Sequence, residues 1–175
     1  MHPAPRTFVD LFTLHLRRLH AVELSSLALL PHLAQASFCP ELRQVFEGHL
    51  KETRRHVERL EEIFGQLGAA PGEASSPAMD GLLDEYRELL DDGERSPLRD
   101  AALIGVAQCV EHHEIAAYGT CRTYAQELGL HQAADFLEAT LGEEAAADER
   151  LTLVAEGSLF HSGVNARAHE EIVAV

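Results

Sequence analysis

Carboxylates stand on the apolar faces of four long helical patterns, and they are the side chains of this sequence best suited to chemistry. Glu23 has leucines four and seven residues to either side, offsets that share one helical face. In the next pattern Glu52 and His56 are four residues apart on the apolar face, and His49 lies at its edge. We therefore expect Glu23, Glu52 and His56 to point into a core.

Two further patterns carry acids in the same way. Glu111 and Glu114 are one turn apart, and each has apolar residues at helical offsets. Glu144 has leucines seven residues before and after it, and Asp148 follows four residues later. We expect these four acids to face the same core as the first group.

A shared metal site explains why four helices would each place an acid in an apolar face. An unpaired buried carboxylate costs several kcal/mol, and clustered carboxylates repel one another. A pair of divalent cations neutralises such a cluster, and carboxylate with imidazole ligands suits iron or manganese, with zinc also possible. The spacing leaves open whether His49 or His112 replaces His56 as a ligand.

The elements that must position these acids are predicted from breaker residues. Four long helices are expected over about residues 7–36, 40–67, 97–128 and 131–156, with Pro31 kinking the first. Residues 69–80 read as loop and about Gly81 to Asp91 as a short helix, and strand signals are nearly absent. The first and second helices are joined by a short connection, as are the third and fourth, whereas a long connection joins the second to the third. These lengths predict an all-α, ferritin-like four-helix bundle: two antiparallel hairpins joined by a crossover containing a short helix.

Composition limits the other possibilities. The chain has 175 residues, a formal net charge of −15 and three cysteines without CxxC spacing. This charge disfavours nucleic-acid binding, and a disulfide framework is not expected. We find no stretch near the ~18–20 apolar residues of a membrane span and no signal-peptide pattern. We expect a cytoplasmic protein with residues 1–157 as the bundle and 158–175 as a tail or a short docked helix.

The sequence resembles the YciE/YciF-like branch of the ferritin-like superfamily, bacterial proteins associated with stress. The resemblance rests on LHAVE at 19–23, HLKETRRHVERL at 49–60, VEHHEIAAYGT at 110–120 and TLGEEAAAD at 140–148. It implies a rubrerythrin-like dimetal site and a homodimer. The implied metal ligands are Glu23, Glu52, His56, Glu111, Glu114, Glu144 and Asp148. The sequence departs from the Glu-x-x-His spacing of ferritins, and it has Asp148 where histidine or glutamate is common.

Two functions are compatible with these observations. In the first, the protein binds two iron ions, reacts with dioxygen or peroxide as a ferroxidase- or peroxidase-type oxidoreductase, and takes electrons from an external donor because it has no rubredoxin-like cysteines. Tyr118 and Tyr124 are candidate electron relays in this case. In the second, it is a non-enzymatic stress or assembly module whose metal site is structural or vestigial.

Overall fold

Six helices and one small hairpin form the described part of the computed structural model, which covers residues 4–72, 75–89, 94–158 and 161–173. The elements are α1 Phe8–Ala36, α2 Pro40–Gln66, α3 Pro77–Leu89, α4 Pro97–Glu127, α5 His131–Glu156, β1 Gly157–Ser158, β2 His161–Ser162 and α6 Val164–Val173. Among the described residues, no helix combines the length and apolar character needed to cross a membrane.

The long helices pair as the loop lengths predict. α1 packs along α2 and α4 packs along α5, while α1 also contacts α4 and α2 contacts α5. α3 lies in the crossover between the two hairpins and packs on α4. The predicted all-α bundle of two hairpins is therefore confirmed, and α1 is helical through Pro31 to its end.

Local sequence signals set the starts of three of these helices. The Thr7 side chain accepts a hydrogen bond from the backbone N–H of Asp10, and the Asp10 carboxylate accepts one from Thr7 in return. Pro40 opens α2, where a missing N–H costs nothing. Ser96 caps α4 and Pro97 follows at its first position.

The crossover helix begins earlier than the sequence indicates. α3 starts at Pro77, four residues before the predicted Gly81, so the end of the predicted loop is helical. The hydroxyl of Ser76 accepts a hydrogen bond from the backbone N–H of Met79, and the Met79 side chain is fully buried. The prediction missed this start because it rested on the composition of the loop rather than on the cap. The predicted end at Asp91 lies outside the described residues.

The hairpin after α5 was not predicted, because two-residue strands are too short to show alternation. β1 and β2 pair antiparallel, with Gly157 opposite Ser162. Gly157 has φ +81°, and a Cβ there would lie 2.3 Å from the backbone nitrogen of Gly163. This close approach requires glycine and turns the chain back, so that α6 packs on α4 and α5 and buries Val164 and Ala168.

The apolar core is divided into two clusters along the bundle. One lies where α1 meets α2 and includes Leu29, Phe46, Leu103, Val110 and Leu151. The other lies at the opposite end and includes Leu16, Leu60, Tyr118, Cys121 and Leu137. The buried acids and histidines of α2 and α5 fall between the residues that build the two clusters, as do Glu111 and Glu114 of α4. In α1, Glu23 directly follows Val22, the first residue of its cluster in that helix. The fold therefore holds a polar layer across the middle of the bundle.

One buried carboxylate outside that layer joins the two halves of the bundle. Asp100 of α4 accepts hydrogen bonds from the backbone N–H groups of Phe38, at 2.8 Å, and Cys39, at 2.7 Å. Asp100 and Cys39 are both fully buried, so the hydrogen bond between them is shielded from water. Asp100 therefore fixes the turn between α1 and α2 against the start of α4.

We expect Asp100→Ala to lower the free energy of unfolding by about 2–4 kcal/mol, because two backbone donors lose their acceptor. Urea denaturation measures this change. Asp135→Ala, at an exposed position of α5, is the matched control and should change stability by less than about 0.5 kcal/mol. Equal effects of the two substitutions would contradict a structural role for Asp100.

Candidate metal centre

Four carboxylates and two imidazoles meet in the polar layer of the bundle. Each is at most 3% exposed, and all four long helices contribute. The six residues are Glu23 of α1, His49 and His56 of α2, Glu111 and Glu114 of α4, and Glu144 of α5. The sequence predicted five of them as ligands and left His49 open as an alternative.

These residues form two groups that could each hold a metal ion. His49, Glu111, Glu114 and Glu144 make up the first group, and Glu23, His56 and Glu144 make up the second. In each group one ligand atom per residue lies within 4.8 Å of the others. Glu144 belongs to both groups, so it would serve two ions if each group held one.

The two oxygens of Glu144 face different histidines. Its Oε2 lies 3.5 Å from Nε2 of His49, which is also 3.2 Å from Oε1 of Glu111. Its Oε1 lies 2.9 Å from Nδ1 of His56, which is also 3.5 Å from Oε1 of Glu23. Each side of this carboxylate thus has its own imidazole and its own second acid.

The unsatisfied atoms of the cluster show that it suits cations. Among the described residues, both oxygens of Glu144 and one oxygen each of Glu23, Glu111 and Glu114 are buried without a hydrogen-bond partner. His56 Nδ1 also lacks a hydrogen bond, although Glu144 Oε1 is only 2.9 Å away. Such orphaned acceptors are costly unless a cation satisfies them.

Charge balance gives the same result. The four acids carry four negative charges when ionised, and two divalent ions carry four positive charges. Neutral imidazole nitrogen and carboxylate oxygen are ligands that iron, manganese and zinc all accept. The donor set therefore fits a pair of divalent transition-metal ions.

Without cations the cluster holds protons instead. Burial alone would lower the pKa of His56, but the carboxylates of Glu144 and Glu23 raise it to about 10. Burial raises the pKa of Glu144 to about 8. Burial and the neighbouring charges of Glu144 and Glu23 raise the pKa of Glu114 well above its usual value. Because cations and protons neutralise the same carboxylates, they compete for this cluster.

Two hydroxyls orient acids of the cluster. Tyr118, which is buried, donates a hydrogen bond to Oε1 of Glu23 at 2.5 Å. Ser26 donates to Oε1 of Glu114 at 3.0 Å. Of the two tyrosines considered as relays, only Tyr118 has a described contact with the cluster, whereas Tyr124 contacts the rings of Phe8 and His15.

Glu52 does not join either group. We expected it to face the core with His56, and that expectation is wrong: its side chain is 22% exposed, and its Oε2 pairs with Arg150 at 2.6 Å. The buried face of α2 centres between His49 and Thr53. At 3.6 residues per turn, Glu52 lies about 80° around the helix from that centre.

Asp148 and His112 also lie outside both groups. Asp148 is 22% exposed and accepts a hydrogen bond from the side-chain amide of Gln108. His112 is 66% exposed, and its ring nitrogen contacts Asp148 at 3.4 Å and the backbone oxygen of Gln108 at 2.9 Å. The structure therefore places neither of them beside the six clustered residues.

His49 stands beside His56 in the cluster rather than in place of it. Position 53, three residues before His56, is a threonine and not an acid. Its hydroxyl donates a hydrogen bond to the backbone oxygen of His49. The Glu-x-x-His spacing is thus absent from α2, which provides two histidines instead. Sequence periodicity placed His49 at the edge of the apolar face and gave no reason to prefer it.

Glu143 was not among the predicted ligands, yet it reaches the cluster from its edge. Its Oε2 lies 2.9 Å from Nε2 of His56 and 2.7 Å from Nη1 of Arg59. Although burial would raise it, contacts with Arg59 and His56 lower the pKa of Glu143 to about 2. Glu143 is therefore an ionised outer partner of His56.

Known proteins resemble the chain over most of its length. Protein YciF of Escherichia coli (strain K12) is 38% identical over 148 residues, which are 84% of this chain and 89% of that protein. The crystal structure of this E. coli stress protein matches with a TM-score of 0.80 and covers 84% of this chain and 93% of its own. YcfI, described as a putative structural protein from Rhodopseudomonas palustris, is 36% identical with a TM-score of 0.83, over 89% of this chain and 99% of its own.

A family model described as Domain of unknown function (DUF892) matches residues 7–168, which is nearly the whole bundle together with the start of α6. The match spans all six clustered residues of the candidate metal centre. The chain therefore belongs to the DUF892 family.

Proposed function

We propose that this protein is a dimetal-carboxylate protein of the ferritin-like superfamily that binds two iron ions and reacts with dioxygen or peroxide in a stress-related role. The observation that carries the proposal is the pair of ligand groups sharing Glu144, with five carboxylate oxygens buried and unsatisfied. The similarity to a protein described as a stress protein supports the role. Manganese and zinc fit the same donor set.

The residues around the centre suit redox chemistry at buried ions. Iron, when bound, supplies the electrons that dioxygen or peroxide takes up. Tyr118 orients Glu23, because its hydroxyl donates a hydrogen bond to Oε1 of that carboxylate. The apolar clusters on both sides of the layer keep bulk water away from the acids. We also propose a cytoplasmic homodimer that takes electrons from an external donor.

Metal loading tests the proposal directly. After anaerobic loading with ferrous iron and removal of excess, mass spectrometry should find about two iron ions per chain, because the cluster offers two ligand groups. An optical record on exposure to air should then show oxidation of the bound iron. A mock-loaded sample is the control. A metal-replete sample that holds no transition metal would refute the proposal.

A structural or assembly role is the second candidate, because the relative from R. palustris is described as a putative structural protein. In that case the bundle should purify without metal and remain folded, and air exposure should leave the optical spectrum unchanged. The same loading experiment therefore separates the two candidates.

A further inference from the structure

Each histidine of the cluster turns one ring nitrogen to the buried acids and the other to an outer glutamate. In His49, Nε2 faces Glu111 at 3.2 Å, while Nδ1 faces Oε2 of Glu52 at 3.4 Å. In His56 the roles of the nitrogens are reversed: Nδ1 faces Glu144 at 2.9 Å, and Nε2 faces Oε2 of Glu143 at 2.9 Å. The two imidazoles thus present opposite nitrogens to the cluster.

An arginine from the facing helix holds each outer glutamate. Glu52 of α2 pairs with Arg150 of α5 at 2.6 Å. Glu143 of α5 pairs with Arg59 of α2 at 2.7 Å and with Arg55 at 3.3 Å. The two pairs cross the seam between α2 and α5 in opposite directions. Their guanidinium groups hold both carboxylates in place beside the two histidines.

An ionised carboxylate only accepts hydrogen bonds, so the ring nitrogen that faces it must carry the proton. In a neutral imidazole the other nitrogen then holds the lone pair that binds a metal ion. The outer glutamates therefore select both the tautomer and the direction of each ring. Neither glutamate belongs to either ligand group, so both are assigned as outer partners of the histidines.

We propose that Glu52–Arg150 and Glu143–Arg59 are positioning pairs that make His49 bind metal through Nε2 and His56 through Nδ1. The proposal rests on the dimetal function proposed above. Outer carboxylates of this kind commonly affect metal affinity by about 10–100-fold. Each pair acts on a different ion, because each histidine belongs to a different ligand group.

The zinc-loaded full-length protein gives the test, since Zn²⁺ is diamagnetic and accepts the same ligands. Long-range ¹⁵N–¹H spectra should show His49 protonated at Nδ1 and His56 protonated at Nε2. Glu143→Gln should shift only the His56 ring signals, and Glu52→Gln only those of His49. In a competition titration with a chelating dye, each variant should bind one of two Zn²⁺ ions about 10–100-fold more weakly.

Two matched controls separate positioning from a general loss of ion pairs. Glu138→Gln removes an Arg–Glu pair between α4 and α5, and Glu61→Gln removes the carboxylate 3.7 Å from His20. Neither should change the signals of the clustered histidines or the affinity for Zn²⁺. Arg59→Gln, which keeps Glu143, should shift the His56 signals in the same direction as Glu143→Gln but by less.

The outcomes distinguish this inference from the proposed function. A parent protein that takes up no Zn²⁺ and no iron overturns both. A parent that binds two ions, with histidine signals that neither glutamate substitution moves, overturns only the positioning role. The same protonated nitrogen in both rings also overturns it. If Glu143→Gln fails to fold, the shift in Arg59→Gln decides the matter.

Discussion

Replacing Glu144 with alanine is expected to abolish both metal sites at once. Glu144 belongs to both ligand groups and directs one oxygen toward each histidine. Without Glu144 each ion would lose a ligand, and the three remaining acids would no longer balance the charge of two divalent ions. We expect the metal content after loading to fall from about two ions per chain to background, with affinities reduced by more than about 100-fold, the upper limit typical of outer-shell changes.

The matched control is Glu138→Ala on the same helix, because Glu138 is 59% exposed and lies outside both groups. It should bind two ions as the parent does. Circular dichroism of both variants in chelator checks that the helices are retained. If Glu144→Ala still holds two ions, the bridging assignment is wrong, and a single lost ion would place Glu144 in one group only.

The sequence was sufficient for the fold because its signals are local. Pro40 and Pro97 open helices at positions where a missing N–H costs nothing, and apolar residues repeat at helical spacing between the breaks. The long connection between the hairpins then indicates the crossover. The start of α3 was not predicted correctly, because its capping residue Ser76 lies inside a stretch whose composition is that of a loop.

The site was only partly predictable because helical offsets do not fix how far a helix is rotated. Glu52 lies about one turn and His49 about two turns before His56, so both fall near its face of the helix, and the sequence periodicity favoured Glu52. Packing of α2 against α5 instead buries His49 and leaves Glu52 beside Arg150. Glu144, which belongs to both ligand groups, is therefore a sharper test of the site than Glu52.

Outer partners were missed for a different reason. Glu143 meets Arg59 and His56 across the seam between α2 and α5, more than 80 residues away in the chain. No spacing within α5 indicates such a contact. Side chains that act on a centre through another residue are thus found only once the helices are assembled, whereas buried acids such as Glu23 stand out in the sequence itself.

Metal binding is expected to raise the melting temperature strongly. An ion that binds only the folded state contributes about 4 kcal/mol at a concentration of about 1,000 times its dissociation constant. Two ions at the two groups therefore add about 8 kcal/mol, which corresponds to roughly 15–30 °C for a chain of this size. Calorimetry with Zn²⁺ and with chelator at pH 7 measures the difference, and identical curves would exclude a site in the core.

The metal-free protein should also lose stability as the pH rises from 7 to 8.5. The folded-state pKa of His56 is raised to about 10 and that of Glu144 to about 8, above their unfolded values, so the folded protein binds more protons than the unfolded chain. The stability that each of these two groups contributes is fully present below its unfolded pKa and is lost as the pH rises toward its folded pKa. The loss is at most about 1.4 kcal/mol per pH unit for each group. Burial lowers the pKa values of His15 and His113, so the contribution of these two histidines to stability increases as the pH rises. That increase is nearly complete at pH 7, because it occurs below the unfolded pKa of histidine.

The stabilisation by metal should therefore widen over the same interval. Cations replace the protons of the cluster, so their affinity grows as the pH rises, while the metal-free protein weakens. Melting temperatures at pH 7, 7.75 and 8.5, with Zn²⁺ and with chelator, give the two slopes. Glu144→Ala is the control: it should show no metal-dependent increase, and its metal-free melting temperature should depend less on pH because one of the titrating groups is gone. A parent whose metal-free stability rises over this interval would show that the buried acids and histidines do not hold protons in the absence of metal.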